Sequence, residues 1–314
     1  MRLDLAVASA LKLSRRAARE VVRAGRIDAD GVTRDEPGLE VPEDAVLTFH
    51  PNRPTRRSVR TALRVLHEDA DCIVVDKPAG LLTLPTAERE KDTLMSRVSG
   101  YLAHRYRRRP YVGIVHRIDK ETSGALVFAR SREALHALQE LFRRHEIERE
   151  YVALVEGRPP DSGTLDADLV RDRGDRRRGV AKPGEEGRRA VTHFRTLERL
   201  GRASLVSARL ETGRTHQIRV HFAAAGHTVL GDEVYGRRRE SRVESRQSKL
   251  EVPRQMLHAR ELGFAHPRTG EMIRCEAPLP EDFQAVLAVL RKTKAPRKEP
   301  GRHSKPEARN PKLR

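Results

Sequence analysis

Residues 116–129 read HRIDKETSGALVFA, and the fold and function of the chain turn on this stretch. Its last five residues, 125–129, form an unbroken apolar run of strand length, and residues 111–115 (YVGIV) are strand-like as well. Between them lies a short segment of charged and small residues ending at Gly124. This places Asp119 on a loop anchored at both ends, where a rigid scaffold can present a reactive group. Taken alone, an Asp in such a loop is most simply a turn residue. Ser131 follows as a helix cap, with Leu135, Leu138, Leu141 and Phe142 on the inward face.

Three other stretches belong beside it. Residues 71–76 (DCIVVD) read as a buried strand running into a Pro/Gly turn, KPAGLL at 77–82. There Lys77 has two readings, phosphate contact or turn cap. Residues 149–151 (REY) open a strand that stops at Gly157. Finally, 210–236 reads LETGRTHQIRVHFAAAGHTVLGDEVYG. A strand ends at Leu210, and Thr215 is expected to cap a helix with Ile218, Phe222 and Ala225 inward and Gly226 at its end. Arg214, His216 and Arg219 cluster near its start. Gly213 and Gly231 are expected to serve backbone geometry. The His116-Arg117 pair before an acid is not a kinase loop, because Ile118 intervenes and no Gly-rich phosphate loop supports it.

The chain has 314 residues, enough for about two domains. Its 63 Lys+Arg exceed 45 Asp+Glu, giving +18, a surplus that favours a polyanionic partner. No apolar run approaches the ~20 residues of a membrane span, and Met1-Arg2-Leu3-Asp4 does not open an apolar leader. A membrane partner is therefore not expected. Cys72 and Cys275 stand apart in apolar surroundings and read as buried thiols, consistent with a reducing cytoplasm. Trp is absent and aromatics are 4%, so RNA would be held by charge and shape instead of a stacking platform. His116 and His216 lack companions at ligand spacing, and no metal or cofactor is expected.

Residues 1–50 form a small module. Leu3, Ala6, Val7, Ala10 and Leu11 give one amphipathic helix, and Ser14 caps a second with Ala17, Ala18, Val21 and Val22 inward. Arg15, Arg16, Arg19 and Arg23 occupy its other face, and a turn at Asp30-Gly31 joins two short strands. The opening Arg2-Leu3-Asp4, the helix start Leu13-Ser14-Arg15 and the hairpin Gly25-Arg26-Ile27…Asp30-Gly31 resemble the S-four-like RNA-binding domain, in which the arginine-rich helix lies on RNA; a solvated face is the plainer alternative. Residues 51–62 read as a linker, and 63–290 as an α+β domain without regular βαβ alternation. Charged interruptions at 171–189 and 237–254 read as surface loops, and 291–314 as a basic disordered tail.

In this order, the four stretches resemble the RluA family of pseudouridine synthases over residues 63–290. The resemblance implies a mixed, mainly antiparallel sheet of the pseudouridine synthase fold behind a small α/β RNA-binding domain. It implies that Asp119 is the catalytic carboxylate, that Tyr151 lies against the uracil, and that Arg219 pairs with Asp119. Arg117 would enter the RNA and help displace the target base. Ile118 stands where leucine is commoner and Arg149 where lysine is usual. The chemistry suits these residues: the C1′–N1 bond breaks, uracil turns, and C1′ rejoins C5 with no net redox change. A carboxylate must act at the sugar, as nucleophile or as base at C2′. The expected substrate is structured RNA, with ribosomal RNA favoured over transfer RNA, and monomer is the default state. A non-catalytic ribosome-assembly factor and a charge-driven coating protein are the rival readings; neither has a use for Asp119, Tyr151 and Arg219 together.

Overall fold

The computed structural model describes residues 1–53, 63–88, 90–107, 110–171, 177–236, 244–245, 248–249 and 251–294. It divides into two units that interleave along the chain: 1–151, 209–215 and 257–278 in the first, 152–208, 216–256 and 279 onward in the second. The chain thus passes from one unit to the other five times.

The first unit opens with the helical pair α1 (Leu3–Ala10) and α2 (Arg15–Arg23). The Ser14 hydroxyl accepts the Ala17 N–H at 3.2 Å, satisfying one of the donors a helix start leaves over. Strands β1 (Ile27–Ala29) and β2 (Val32–Arg34) form the expected hairpin, with β3 (Leu47–Phe49) on the other side of β1. Asp30 and Gly31 both take the left-handed conformation that a two-residue hairpin turn requires. Leu3, Val7, Ala18, Val22, Ile27 and Val41 make this module's own core. Of the five apolar residues expected inward on the first helix, Ala10 is exposed. Arg53, from the segment read as a linker, grips Asp28 through Nη1 at 2.5 Å and Nη2 at 2.7 Å.

Next come β4 (Arg64–Glu68), β5 (Cys72–Lys77), α3 (Leu94–Tyr106), β6 (Gly113–Ile114), β7 (Ser123–Ala129) and α4 (Arg132–Arg143). Strand β5 pairs antiparallel with β4 and β7, and β7 pairs parallel with β15 (Leu257–Ala265), which turns back into β16 (Met272–Glu276). The core beneath contains Cys72, Val74, Val127, Leu138, Phe264 and Cys275, so both cysteines are buried thiols. Burial of side chains as large as Phe264 is worth about 1.5–3 kcal/mol each. Ser131 caps α4 as expected, accepting the Ala134 N–H at 3.0 Å.

The strand expected at 111–115 is reduced to two residues. Gly113 pairs with Ala129 and Ile114 with Phe128, but the Val127 N–H is then taken by His116 Nε2 at 3.3 Å, and the ladder ends there. At the other end, β7 starts one residue before Gly124, which has φ +117.

In the second unit, β9 (Ser162–Val170) lies between β10 (Gly179–Val180) and β11 (Arg188–Leu200), antiparallel to both. Strand β12 (Ala203–Leu210) follows, beside β8 (Glu148–Glu156), which begins in the first unit, and the short strands β13 (Glu244–Ser245) and β14 (Ser248–Lys249) pair antiparallel with each other. Helix α6 (Glu281–Lys294) buries Phe283, Val286, Leu287 and Leu290 against Leu154, Leu200 and Leu205. It extends four residues into the expected tail, and 295–314, like 54–62, 172–176 and most of the 237–254 interruption, lies outside the described residues.

Helix α5 (Gln217–Ala224) departs from expectation at its start. Its N-cap is His216, left-handed at φ 60 and without a side-chain cap, because the His216 ring is bonded to the Tyr235 hydroxyl at 2.8 Å. Thr215 therefore caps nothing; Ala225 lies beyond the last turn and is exposed, while Gly226 ends the helix at φ 80 as read. The result is an α+β protein with a largely antiparallel sheet. Among the described residues no helix is long and apolar enough to cross a membrane.

Candidate active site

The segment around Asp119 is held by its backbone. Thr83 Oγ1 donates to the Ile118 carbonyl at 3.1 Å, the Thr122 N–H to the Asp119 carbonyl at 3.1 Å, and Lys77 Nζ to the Lys120 carbonyl at 2.8 Å. Three successive carbonyls are thus fixed from three directions. Asp119 itself is half-buried and Ile118 is buried, whereas Arg117 is exposed and makes no ion pair to another described residue.

Lys77 is fully buried at the end of β5, directly opposite Gly124 of β7. Besides Lys120 it donates to the carbonyls of Pro78 at 2.9 Å and Leu81 at 2.7 Å. Of the two readings from sequence, the turn cap is the one the structure has, and the cap reaches across to the Asp119 loop. Replacing Lys77 by Met would leave these carbonyls facing an alkyl chain. Loss of about 3 kcal/mol is expected, read as a lower urea midpoint for Lys77→Met; an unchanged midpoint would contradict the cap.

Tyr151, on β8, is 8% exposed. Burial pushes its phenol above the ordinary value, the Asp119 charge adds to that push, and Arg149 opposes it, so Tyr151 is a neutral phenol at pH 7 close enough to sense Asp119. Arg149 is itself buried: its guanidinium carbon lies 5.3 Å from the Phe142 ring centroid and Nη2 donates to the Leu210 carbonyl at 3.4 Å. Burial pulls its pKa below the usual guanidinium range. Gly213 lies against this side chain. A Cβ there would stand 2.7 Å from Arg149 Nη1, and the Gly213 backbone is not left-handed. His116 stacks on Phe142 at 4.6 Å, and burial lowers its pKa to about 3, which keeps it neutral and structural.

Arg219 belongs to the second unit. It is 5% exposed, which excludes a helix-surface cation. Its Nε and Nη2 meet the two oxygens of Asp232 at 2.7 and 2.9 Å, and its guanidinium carbon lies 5.0 Å from the Tyr235 ring centroid. Burial alone would raise the Asp232 carboxyl, but the Arg219 bonds and the Tyr235 and Val234 N–H groups hold it below its ordinary value. Asp232 and Tyr235, which brace Arg219 in its own unit, went unnoticed in the sequence although both stand in the stretch 210–236. Their only signal was an acid three residues before a tyrosine at a glycine-rich turn.

In the N-terminal module Arg15 and Arg19 turn to Asp4, Arg16 lies 3.8 Å from Glu20, and Arg23 is exposed. Among the described residues two groups of potential ligand side chains come together, His67 with Asp69 and Cys72, and Asp69 with Asp71 and His266. His266 Nδ1 accepts the N–H groups of Arg268 and Thr269, so its proton sits on Nε2 and faces Asp69 at 3.3 Å. Asp69 in turn takes the Asp71 and Cys72 N–H groups. A ring with its proton on Nε2 cannot also give that nitrogen to a cation.

Comparison with known proteins extends the geometry. Residues 71–224 match the family described as RNA pseudouridylate synthase. Ribosomal large subunit pseudouridine synthase D of Zymomonas mobilis is 38% identical over 299 residues, covering 92% of this chain and 93% of the relative. An uncharacterized RNA pseudouridine synthase of Mycobacterium bovis is 37% identical, covering 93% and 94%. Among solved structures, human RNA pseudouridylate synthase domain containing 4 superposes with a TM-score of 0.60 at 25% identity, over 74% of this chain and 95% of that one. Fold and relatives together define an RNA-modifying isomerase. The chain belongs to the RNA pseudouridylate synthase family.

Proposed function

We propose that this pseudouridine synthase acts on large-subunit ribosomal RNA with Asp119 as its catalytic carboxylate. The observation that carries the assignment is the three-point anchoring of the Ile118, Asp119 and Lys120 carbonyls. Such anchoring fits a loop that must hold a reactive group at a fixed place and angle. The carboxylate acts at the ribose, as nucleophile at C1′ or base at C2′, while the C1′–N1 bond breaks, uracil turns, C5 joins C1′ and gives up its proton, and the freed N1 takes one up. Tyr151 offers the ring a flat, neutral surface. Arg219, braced by Asp232, is assigned as the third residue of the catalytic set. Arg117, exposed beside it in sequence, is assigned to the gap left by the displaced base. Residues 1–50 are assigned as an S-four-like RNA-binding domain joined to a catalytic domain over 63–290.

The ribosomal substrate is supported by the relatives whose names carry it and by the +18 charge. Mapping pseudouridines in a deletion strain is expected to show the loss of specific large-subunit sites, restored by the purified protein on the unmodified transcript. Losses confined to transfer RNA would overturn the substrate while leaving the chemistry.

A further inference from the structure

Asp4 is fully buried on α1, and three arginines converge on its carboxylate. Arg2 donates from Nε to Oδ1 at 3.1 Å and from Nη2 to Oδ2 at 3.2 Å. Arg15 Nε reaches Oδ2 at 3.3 Å and Arg19 Nε reaches the same oxygen at 2.8 Å. One bidentate arginine would neutralise a buried carboxylate. Three guanidiniums exceed that need and leave a local charge of +2 in a patch where like charges repel. Their side chains remain 41%, 51% and 39% exposed, and Arg15 and Arg19 use only Nε on Asp4. The Nη groups of Arg15 and Arg19 make no hydrogen bond to another described residue, and guanidinium nitrogens in that state match the oxygens of a phosphate.

We propose that Arg2, Arg15 and Arg19 form one binding site for an RNA backbone phosphate, and that Asp4 is the residue that positions them. This rests on the RNA reading given above and refines it. The arginine-rich face of α2 is divided: Arg15 and Arg19 belong to a site ordered before RNA arrives, whereas Arg16 and Arg23 contribute only diffuse attraction. Because the side-chain freedom of the three arginines is already restricted in the unbound protein, less is lost when a phosphate docks. Burial opposes ionisation of Asp4, but the bonds from Arg19, Arg2 and Arg15 prevail and hold its carboxyl at about 2. Its folded value lies below the unfolded one, so this contribution to stability is complete above about pH 4 and fades as pH falls toward 2.

The test turns on sign. By charge alone, Asp4→Asn adds +1 to a protein that binds a polyanion and should tighten binding. With Asp4 as positioning residue, Asp4→Asn should instead weaken binding of a large-subunit ribosomal RNA transcript by about fivefold or more, with a salt slope shallower by about one phosphate contact. A paired comparison in the full-length protein covers the case in which Asp4→Asn unfolds the module. The double variant Arg15→Gln/Arg19→Gln leaves Arg2 on Asp4 and should lose about tenfold in affinity, against about twofold for Arg16→Gln/Arg23→Gln. Folded Asp4→Asn that binds as tightly as wild type or tighter, or equal losses in the two double variants, would overturn the site. Wild-type protein with no affinity for the transcript would overturn the RNA reading along with it.

Discussion

Substituting Asp119 by Asn is expected to reduce turnover by at least about 10³, the range associated with losing a positioned acid–base or nucleophilic group. RNA affinity should stay within about twofold. The amide keeps the size of the side chain, and the anchoring of the loop runs through main-chain carbonyls, with partners Thr83, Thr122 and Lys77, that the substitution does not touch. Binding and catalysis should therefore separate cleanly. Tritium release from uridine labelled at C5 measures the first quantity and filter binding the second. Asp119→Asn with more than a tenth of wild-type release would remove Asp119 from its assigned role. Tyr151 gives a companion expectation. Its phenol is pushed above the ordinary value, so no ionisation of Tyr151 should shape the pH–rate profile between pH 6 and 9, as order-of-magnitude limits set by a reference value near 10.

The second large effect lies at Gly124. It combines φ +117 with a position opposite Ala259 in the parallel pairing of β7 and β15, and a Cβ there would fall on the Ala259 carbonyl and its neighbouring backbone atoms. No rotamer relieves this, since the obstacle is main chain and the intruding atom is a Cβ. Gly124→Ala is expected to destabilise the protein by more than about 4 kcal/mol, placing it among the diagnostic losses of point substitution. Differential scanning calorimetry or yield of soluble protein reads the outcome; a variant melting within a few degrees of wild type would show that the strands can part without penalty. Position 124 also faces Lys77, so a shift of β7 would disturb the ammonium that holds the Lys120 carbonyl.

What could be read in the sequence followed local rules. The apolar runs at 72–75 and 125–129 are strands because both faces are buried, and Ser14 and Ser131 cap helices because a hydroxyl one residue before the first turn meets orphan N–H groups. What could not be read depended on partners distant in the chain. The strand expected at 111–115 lost its end when His116 took the Val127 N–H. Thr215 lost its helix start to His216, whose ring is held by Tyr235 nineteen residues on. Lys77 reaches a carbonyl 43 residues away, and only the folded chain brings Thr83 and Lys77 to either side of Asp119. On α2, spacing identified a basic face but could not reveal that Asp4, eleven and fifteen residues before Arg15 and Arg19, divides it. For the site, residue types marked the stretches that matter, while the arrangement that makes them stiff was tertiary.

The five passages of the chain between its two units constrain how the protein can be made and taken apart. Neither unit is one uninterrupted length of polypeptide, so no single cut can release either intact. During synthesis the first unit waits for β15 and β16, and the second lacks the apolar face of α6 until residues beyond 278 have emerged. A nascent chain halted before that point would carry Asp119 and Tyr151 on an unfinished scaffold and leave Leu154, Leu200 and Leu205 uncovered, a species suited to chaperone capture.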